Sequence, residues 1–561
     1  MVRVKLVSGP NMRKLLAVLA ISSWATLAYG QKADLIVTNA KIVTLDTAST
    51  IAQALAVREG KIVAVGGNDA MEGLIGSATR RVDAGGRTII PGLIDSHIHA
   101  VRAGLTYATE VNWIGAKTIT EAMERLRQAA KARPASWIIV AGGWSELQFA
   151  EKRRPTLAEV VSAVPDNPAY IQLFYSAVLM TPKAQQTLGI SAEQLPAGMT
   201  VERAASGEGF GGSIVSISAL FDRLPRPNFE DNVAGTRQFF TELNRLGITG
   251  VVDPGGFSIY PSHYAALLKL WREKSLSVRV AYSLFAQNVG AEFEEYKNLT
   301  QFLPMGFGDD MLRFNGIGER ITGAMYNNNA PDAAAKDKFL EIIRWAAKQG
   351  LTVTIHWQDD KSVYQLLDLY EEVSKETPIA PLRWSIAHLD NASSETLMRM
   401  KALGLGWTMQ DAMYFGGDGF LQQRGREVGL RTPPLETARR VGVVVGAGTD
   451  AHRVASYNPF TALQWLLDSK TVGGVAMRGP EEIPSRMDAL RFYTLGSAWF
   501  SFDENARGSL EVGKLADCAV LSDDYMTVAV EKIGGLESVL TMVGGKIVYS
   551  AGPFDGLDKK P

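Results

Sequence analysis

Four of the six histidines in this 561-residue chain stand at the ends of short apolar runs. Ile94-Asp95-Ser96-His97-Ile98-His99 closes the first run. Thr352-Val353-Thr354-Ile355-His356 and Trp384-Ser385-Ile386-Ala387-His388 close two later ones, and Gly446-Ala447-Gly448-Thr449-Asp450 ends a fourth on a carboxylate. Residues two apart on a strand project from one face, so His97 and His99 can aim two imidazoles at one point. Neutral imidazole nitrogens with a carboxylate suit a borderline divalent ion, zinc foremost. Such an ion with an open position lowers the pKa of a water towards ~7. Asp450 can take a proton from that water and hand it to a leaving nitrogen. The chemistry described is hydrolysis at an electrophilic carbon.

For these residues to meet, several strand ends must converge. Eight strand-like runs, 88–97, 248–253, 276–286, 311–316, 351–357, 382–388, 405–410 and 441–449, alternate with helical patterns such as 334–349 and 362–376. That alternation implies parallel strands with helices outside. It predicts an α/β fold, a (β/α)8 TIM-like barrel whose strand C-termini share one mouth. Short strands near both chain ends are too few to bury cores of their own, which predicts one small β-sandwich built from the two ends. The expected boundaries are 31–88 and 501–561 for the sandwich and 89–500 for the barrel. Residues 100–245, about as long as several strand–helix units, read as an insertion after barrel strand 1, lying on the rim. Within it, Ser206-Gly207-Glu208-Gly209-Phe210-Gly211-Gly212 lacks the Gly-Lys-Ser/Thr context of a phosphate loop and reads as a flexible loop.

Composition removes several function classes. Charged residues make up 21% and the net charge is −1, no sign of a nucleic-acid partner or a basic membrane surface. The single cysteine, Cys518, excludes an intrachain disulfide and a Cys-rich zinc site. Residues 1–30 read as a signal peptide: Arg3, Lys5, Arg13 and Lys14 precede an apolar core at 15–27, and Ala28-Tyr29-Gly30 places small residues before Gln31. The core is short of a comfortable span of ~20 residues. The expectation is an exported protein, periplasmic or secreted, with no membrane span in the mature chain and a small-molecule substrate.

The ligand pattern resembles the amidohydrolase superfamily, whose members place His-x-His, His, His and Asp on strands one, five, six and eight. Lys61-Ile62-Val63-Ala64-Val65-Gly66 and Ile89-Ile90-Pro91-Gly92-Leu93-Ile94-Asp95 resemble the superfamily's opening, and Gly508-Ser509-Leu510-Glu511-Val512-Gly513-Lys514-Leu515-Ala516-Asp517 resembles its closing motif. The resemblance spans residues 33–550. The insertion and Gly247-Ile248-Thr249-Gly250-Val251-Val252-Asp253 look most like the branch containing N-substituted formamide deformylase. It implies that His97, His99, His356 and Asp450 contact metal, that Asp450 is also the proton shuttle, and that His388 is a second-metal ligand or a partner of the attacking water. One departure matters. Many two-metal members carry a carboxylated lysine after strand four, whereas Leu312-Arg313-Phe314-Asn315-Gly316-Ile317-Gly318-Glu319 has none until Lys336. Either Glu319 supplies the bridging carboxylate, able to span two ions ~3.5–4 Å apart, or the site holds one ion, as in the family's deaminases. The reading leans to one ion, with Glu319 as acid–base, substrate contact or rim partner of Arg320.

His452 either lines the mouth beside Asp450 or contacts backbone. His263, at a helix start, reads as structural. Tyr175, Trp144, Trp357 and Tyr414 shape a pocket or simply pack. The function expected is an exported metal-dependent hydrolase of C–N bonds in amide, formamide, cyclic imide or urea-type groups. The alternatives are a mononuclear zinc deaminase of an N-heterocycle and a non-catalytic binding protein on the same fold. The last would be expected to have lost ligands, and every main ligand is present.

Overall fold

A computed structural model describes residues 32–204 and 207–559. The signal peptide read in residues 1–30 lies outside the described residues. Two four-stranded parallel sheets form the centre: β1 (Leu93–Asp95), β2 (Ile248–Asp253), β3 (Arg279–Leu284) and β4 (Leu312–Ile317), then β5 (Thr354–Trp357), β6 (Ser385–His388), β7 (Gly406–Gln410) and β8 (Val444–Gly448). A parallel bridge between Ile317 and Val353 joins β4 to the run into β5. On the other side, the Ser96 N–H donates to the Ala447 carbonyl at 3.1 Å and the Asp450 N–H to the His97 carbonyl at 2.8 Å. The result is a TIM-barrel-like α/β fold with the C-terminal strand ends on one side.

The helices between strands follow from their apolar stripes. Ala333–Lys348 starts where the Asp332 side chain accepts from the Ala335 N–H, and it buries Phe339, Leu340, Ile342, Ile343 and Ala346. Asp360–Glu376 buries Val363, Leu366, Leu367, Tyr370 and Val373. Each large apolar side chain so buried contributes roughly 1.5–3 kcal/mol. These two helices stand where the sequence places them.

Three departures from the sequence expectation have local causes. The run 88–97 is two strands, not one: Thr88–Pro91 pairs with Lys41–Val43 and Cys518–Leu521 in a six-stranded sheet, and only Leu93–Asp95 enters the barrel. Gly92 is the corner between them; a Cβ there would stand 2.2 Å from Thr249 Oγ1. The span 100–245, expected as an insertion on the rim, includes a helix that joins the main core. Helix Phe229–Arg245 puts Phe239, Phe240 and Leu243 into the same core as the barrel strands. The glycine-rich stretch is not a loop: Gly207–Gly211 pairs antiparallel with Thr200–Ala204 and with Ala177–Met180. Small residues permit that strand; a Cβ on Gly211 would meet Glu202 Oε1 at 2.8 Å and Thr200 Oγ1 at 3.0 Å.

Both chain ends contribute to the six-stranded sheet, in which Ser538–Val543 and Lys546–Ser550 continue the pairing beyond Cys518–Leu521. A second sheet holds Leu35–Thr38, Ala54–Arg58, Lys61–Gly66 and Arg80–Asp83. Val37, Leu55 and Val82 from one sheet share a core with Ile89, Val520 and Leu540 from the other. No helix among the described residues is long and apolar enough to cross a membrane.

Candidate metal centre

Five strand ends deliver the candidate ligands to one place. His97 and His99 follow β1, Glu319 follows β4, His356 lies in β5, His388 ends β6 and Asp450 follows β8. Glu319 is the common member. Its Oε2 is 3.3 Å from His97 Nε2, 3.4 Å from His356 Nδ1 and 3.6 Å from His388 Nε2, and its Oε1 is 3.8 Å from His99 Nε2. Asp450 Oδ1 lies 3.0 Å from His99 Nε2 and 3.7 Å from His97 Nε2. Two groups of ligand atoms of metal-binding type therefore share one carboxylate: His97, His99 and Glu319, and Glu319, His356 and His388.

The donor set fits divalent metal. His97 Nε2, His388 Nε2 and Glu319 Oε2 are buried atoms with no hydrogen-bond partner. Three such atoms aimed at one another are costly in a protein interior unless something between them accepts their lone pairs.

The surrounding shell fixes their direction. His99 Nδ1–H donates to the Gly255 carbonyl at 2.5 Å, which leaves Nε2 free to face the centre. Gly255 is held in turn by Asp253, whose two oxygens accept from the N–H groups of Gly255 and Val101, both at 2.8 Å. Asp95 Oδ1 accepts from the N–H groups of His97 and Thr449, and its Oδ2 from the Thr449 hydroxyl at 2.6 Å, tying β1 to β8. The His388 N–H donates to Gln410 Oε1 at 2.9 Å, and its carbonyl accepts from Trp407 Nε1 at 2.6 Å. His388 and Asp450 have φ of 69° and 55°, a left-handed conformation that non-glycine residues adopt at a cost.

The electrostatics suit ligation. Burial and the neighbouring His388 push the His356 pKa down to about 4, which keeps its ring neutral. Burial works to raise the Glu319 pKa, but the imidazoles of His356, His388 and His97 that face it outweigh burial and hold the carboxyl well below its usual range. Asp450 is lowered in the same way, His99 being its strongest partner.

Glu319 is no rim residue. It is buried, and the Arg320 guanidinium turns elsewhere, donating to the carbonyls of Ala286 and Gln287 and sitting over the rings of Phe257 and Phe285. His452 neither faces the centre nor contacts backbone through its ring: its Nε2 is 2.6 Å from Glu110 Oε2, a buried pair. His263 Nδ1 accepts from the Tyr260 N–H at 3.1 Å, a structural role. Trp144 and Trp357 are packing residues, their indole N–H groups satisfied by the Gln172 carbonyl and the Ser362 hydroxyl.

The sequence profile described as "Amidohydrolase family" matches residues 80–549. The chain belongs to the amidohydrolase family. Among curated proteins, it is 28% identical to LONG AFTER FAR-RED 3 of Arabidopsis thaliana over 94% of each chain. It is 24% identical to N-substituted formamide deformylase of Arthrobacter pascens over 92% of this chain and 99% of that one. Among solved structures, an uncharacterized metal-dependent hydrolase from Pyrococcus horikoshii covers 89% of the chain with a TM-score of 0.64 at 21% identity.

Three residues of this amidohydrolase escape sequence reasoning. Tyr326 stacks on His356 with ring centroids 4.6 Å apart, its hydroxyl 3.2 Å from His356 Nδ1. Asp411, just past β7, is buried with neither oxygen hydrogen-bonded; burial, then the charges of Asp95 and Asp450, hold its carboxyl well above the usual range. Asp390, two residues past His388, is pushed up to about 6 by burial. None carries a short motif. Only their spacing after a strand end, in loops of the barrel mouth, could have pointed to them.

Proposed function

We propose that this amidohydrolase hydrolyses a C–N bond of an amide, formamide, cyclic imide or urea-type group at a binuclear centre, on a closed (β/α)8 barrel flanked by a β-sandwich. The reading rests on one observation: Glu319 belongs to two groups of possible ligands, with Oε2 3.3 Å from His97, 3.4 Å from His356 and 3.6 Å from His388, and Oε1 3.8 Å from His99. A shared carboxylate supports two ions rather than the one to which the sequence alone leans. His97, His99, Glu319 and Asp450 would hold one ion, and Glu319, His356 and His388 the other. Imidazole with carboxylate favours zinc. When bound, the ions supply Lewis acidity that polarises the scissile carbonyl and acidifies a water.

The chain's own groups do the rest. Asp450 Oδ1 takes the proton of the attacking water and passes it to the leaving nitrogen. His99 keeps Nε2 pointed inward because Gly255 fixes its other nitrogen. The Tyr326 hydroxyl, beside His356 Nδ1, donates to the carbonyl oxygen as negative charge develops there. Export, with cleavage after Gly30, is part of the same proposal and draws on the sequence of residues 1–30.

Metal analysis of the purified protein beside a panel of amides, formamides, cyclic imides and N-heterocycles tests this reading. The expected result is two ions per chain and turnover of a C–N substrate. Glu319→Gln should lower the metal content and abolish turnover together. One ion per chain with ammonia released from an N-heterocycle would replace this reading with the deaminase; unchanged metal content in Glu319→Gln would remove the bridge.

A further inference from the structure

Six arginines are buried among the described residues: Arg102, Arg279, Arg320, Arg453, Arg478 and Arg507. Four are explained by their partners. Arg279 pairs with Asp517 and Asp310, and Arg507 with Asp503. Arg320 donates to the carbonyls of Ala286 and Gln287, and Arg478 to those of Trp465 and Leu466. Arg102 and Arg453 differ. They are 5% and 6% exposed, the Nε of each is buried without a hydrogen-bond partner, and among the described residues neither forms an ion pair. Arg453 sits over the Phe221 ring at 3.7 Å. The carboxylates around them are already engaged: Asp253 by two backbone N–H groups, Glu110 by His452, Asp222 by Ser258 at 2.6 Å and, from the rim, Arg226 at 3.8 Å. Burying a guanidinium whose N–H donors find no direct partner is costly.

Both arginines line one cavity of about 150 Å³, whose other walls include Leu105, Phe221, Phe257 and Ile259. His99 Nδ1 and Arg102 Nη1 stand 3.2 and 3.5 Å from the point a Cβ on Gly256 would occupy, whereas His99 Nε2 faces Asp450. We propose that this cavity is a second binding site, taking the carboxylate of a small organic acid with an apolar body. The planar guanidinium fork matches a carboxylate, and the aromatic and aliphatic walls match the body. Arg102 follows His99 by three residues and Arg453 follows Asp450 by three. A carboxylate held by both joins the segment carrying one ligand to the segment carrying the other.

Benzoate, with benzamide as its neutral counterpart, serves as the probe, read by thermal shift and calorimetric titration on metal-loaded and on chelator-stripped protein. Benzoate should bind both forms and benzamide neither. Replacing Arg102→Gln together with Arg453→Gln should weaken benzoate by roughly tenfold or more, and Leu105→Trp, which fills the cavity and keeps both arginines, should do the same. No benzoate binding to either form of the wild type overturns the proposal. Binding only to metal-loaded protein also overturns it, because benzoate then sits on the ions. If the double variant does not fold, Leu105→Trp decides: unchanged affinity there overturns the site.

Discussion

At the scale of single residues, the direction of a lone pair is what the centre depends on. His99 shows this most clearly. Its Nδ1–H is committed to the Gly255 carbonyl, so only Nε2 is left for the ion, and Asp253 in turn holds Gly255. Asp450 stands against that nitrogen as a carboxylate. Asp450→Asn keeps the size and removes the proton acceptor; steady-state kinetics should show kcat lower by roughly 10²–10⁴. Tyr326→Phe removes the hydroxyl beside His356 and leaves the stacked ring in place. For a lost oxyanion donor, kcat should fall by roughly 10²–10³ with KM little changed. A rise in KM with kcat unchanged would place Tyr326 in substrate binding instead. Strand-end spacing is what singled out His97, His99, His356, His388 and Asp450 as candidates. Tyr326 and Asp411 were not singled out, because a lone tyrosine or aspartate in a loop carries no periodicity that places it.

At the scale of elements, parallel strands deliver their C-terminal ends to one mouth, so ligands scattered in sequence become neighbours. The alternation of apolar runs and amphipathic stretches made seven of the eight strands readable within a few residues. The first was read too long, since 88–97 is apolar throughout and no local pattern distinguishes two sheets sharing a corner. Gly92 makes that corner because Thr249 occupies the space of its missing side chain. Gly92→Ala should therefore destabilise the protein by about 1–3 kcal/mol, the range for forced overpacking, seen as a lower unfolding midpoint. Thr249→Ala in the same chain should recover part of the loss. A neutral Gly92→Ala would show that the corner has room to move. The glycine-rich stretch was misread for the opposite reason: glycine signals turns, and here close backbone pairing uses it within a sheet.

At the scale of the whole molecule, the two chain ends are bound to each other and to the barrel. Asp524, near the C-terminus, accepts from Lys41 Nζ at 2.7 Å and from the Thr88 hydroxyl at 2.8 Å. Burial opposes its ionisation, but Lys41 and the hydroxyls of Thr527 and Thr88 bring its pKa down to about 2 from 3.8. A carboxyl with a depressed folded-state pKa stabilises fully above its unfolded value and loses that contribution as pH falls through the folded one. Discounted for partial exposure, Asp524→Asn should cost about 1 kcal/mol near neutral pH. Unfolding midpoints of wild type and variant should converge as pH falls from about 4 towards 2; a constant gap would assign the loss to packing. The sequence by itself determined the α/β, TIM-barrel-like class and singled out strand-end histidines and an aspartate as candidates, because periodicity and strand-end position are local properties that survive without coordinates. Only the tertiary structure decided that Glu319 is shared between two groups of ligands, that helix Phe229–Arg245 belongs to the barrel, and that two buried arginines face one cavity. Each of these depends on distances between segments far apart in the chain, and such distances exist only once packing has set them.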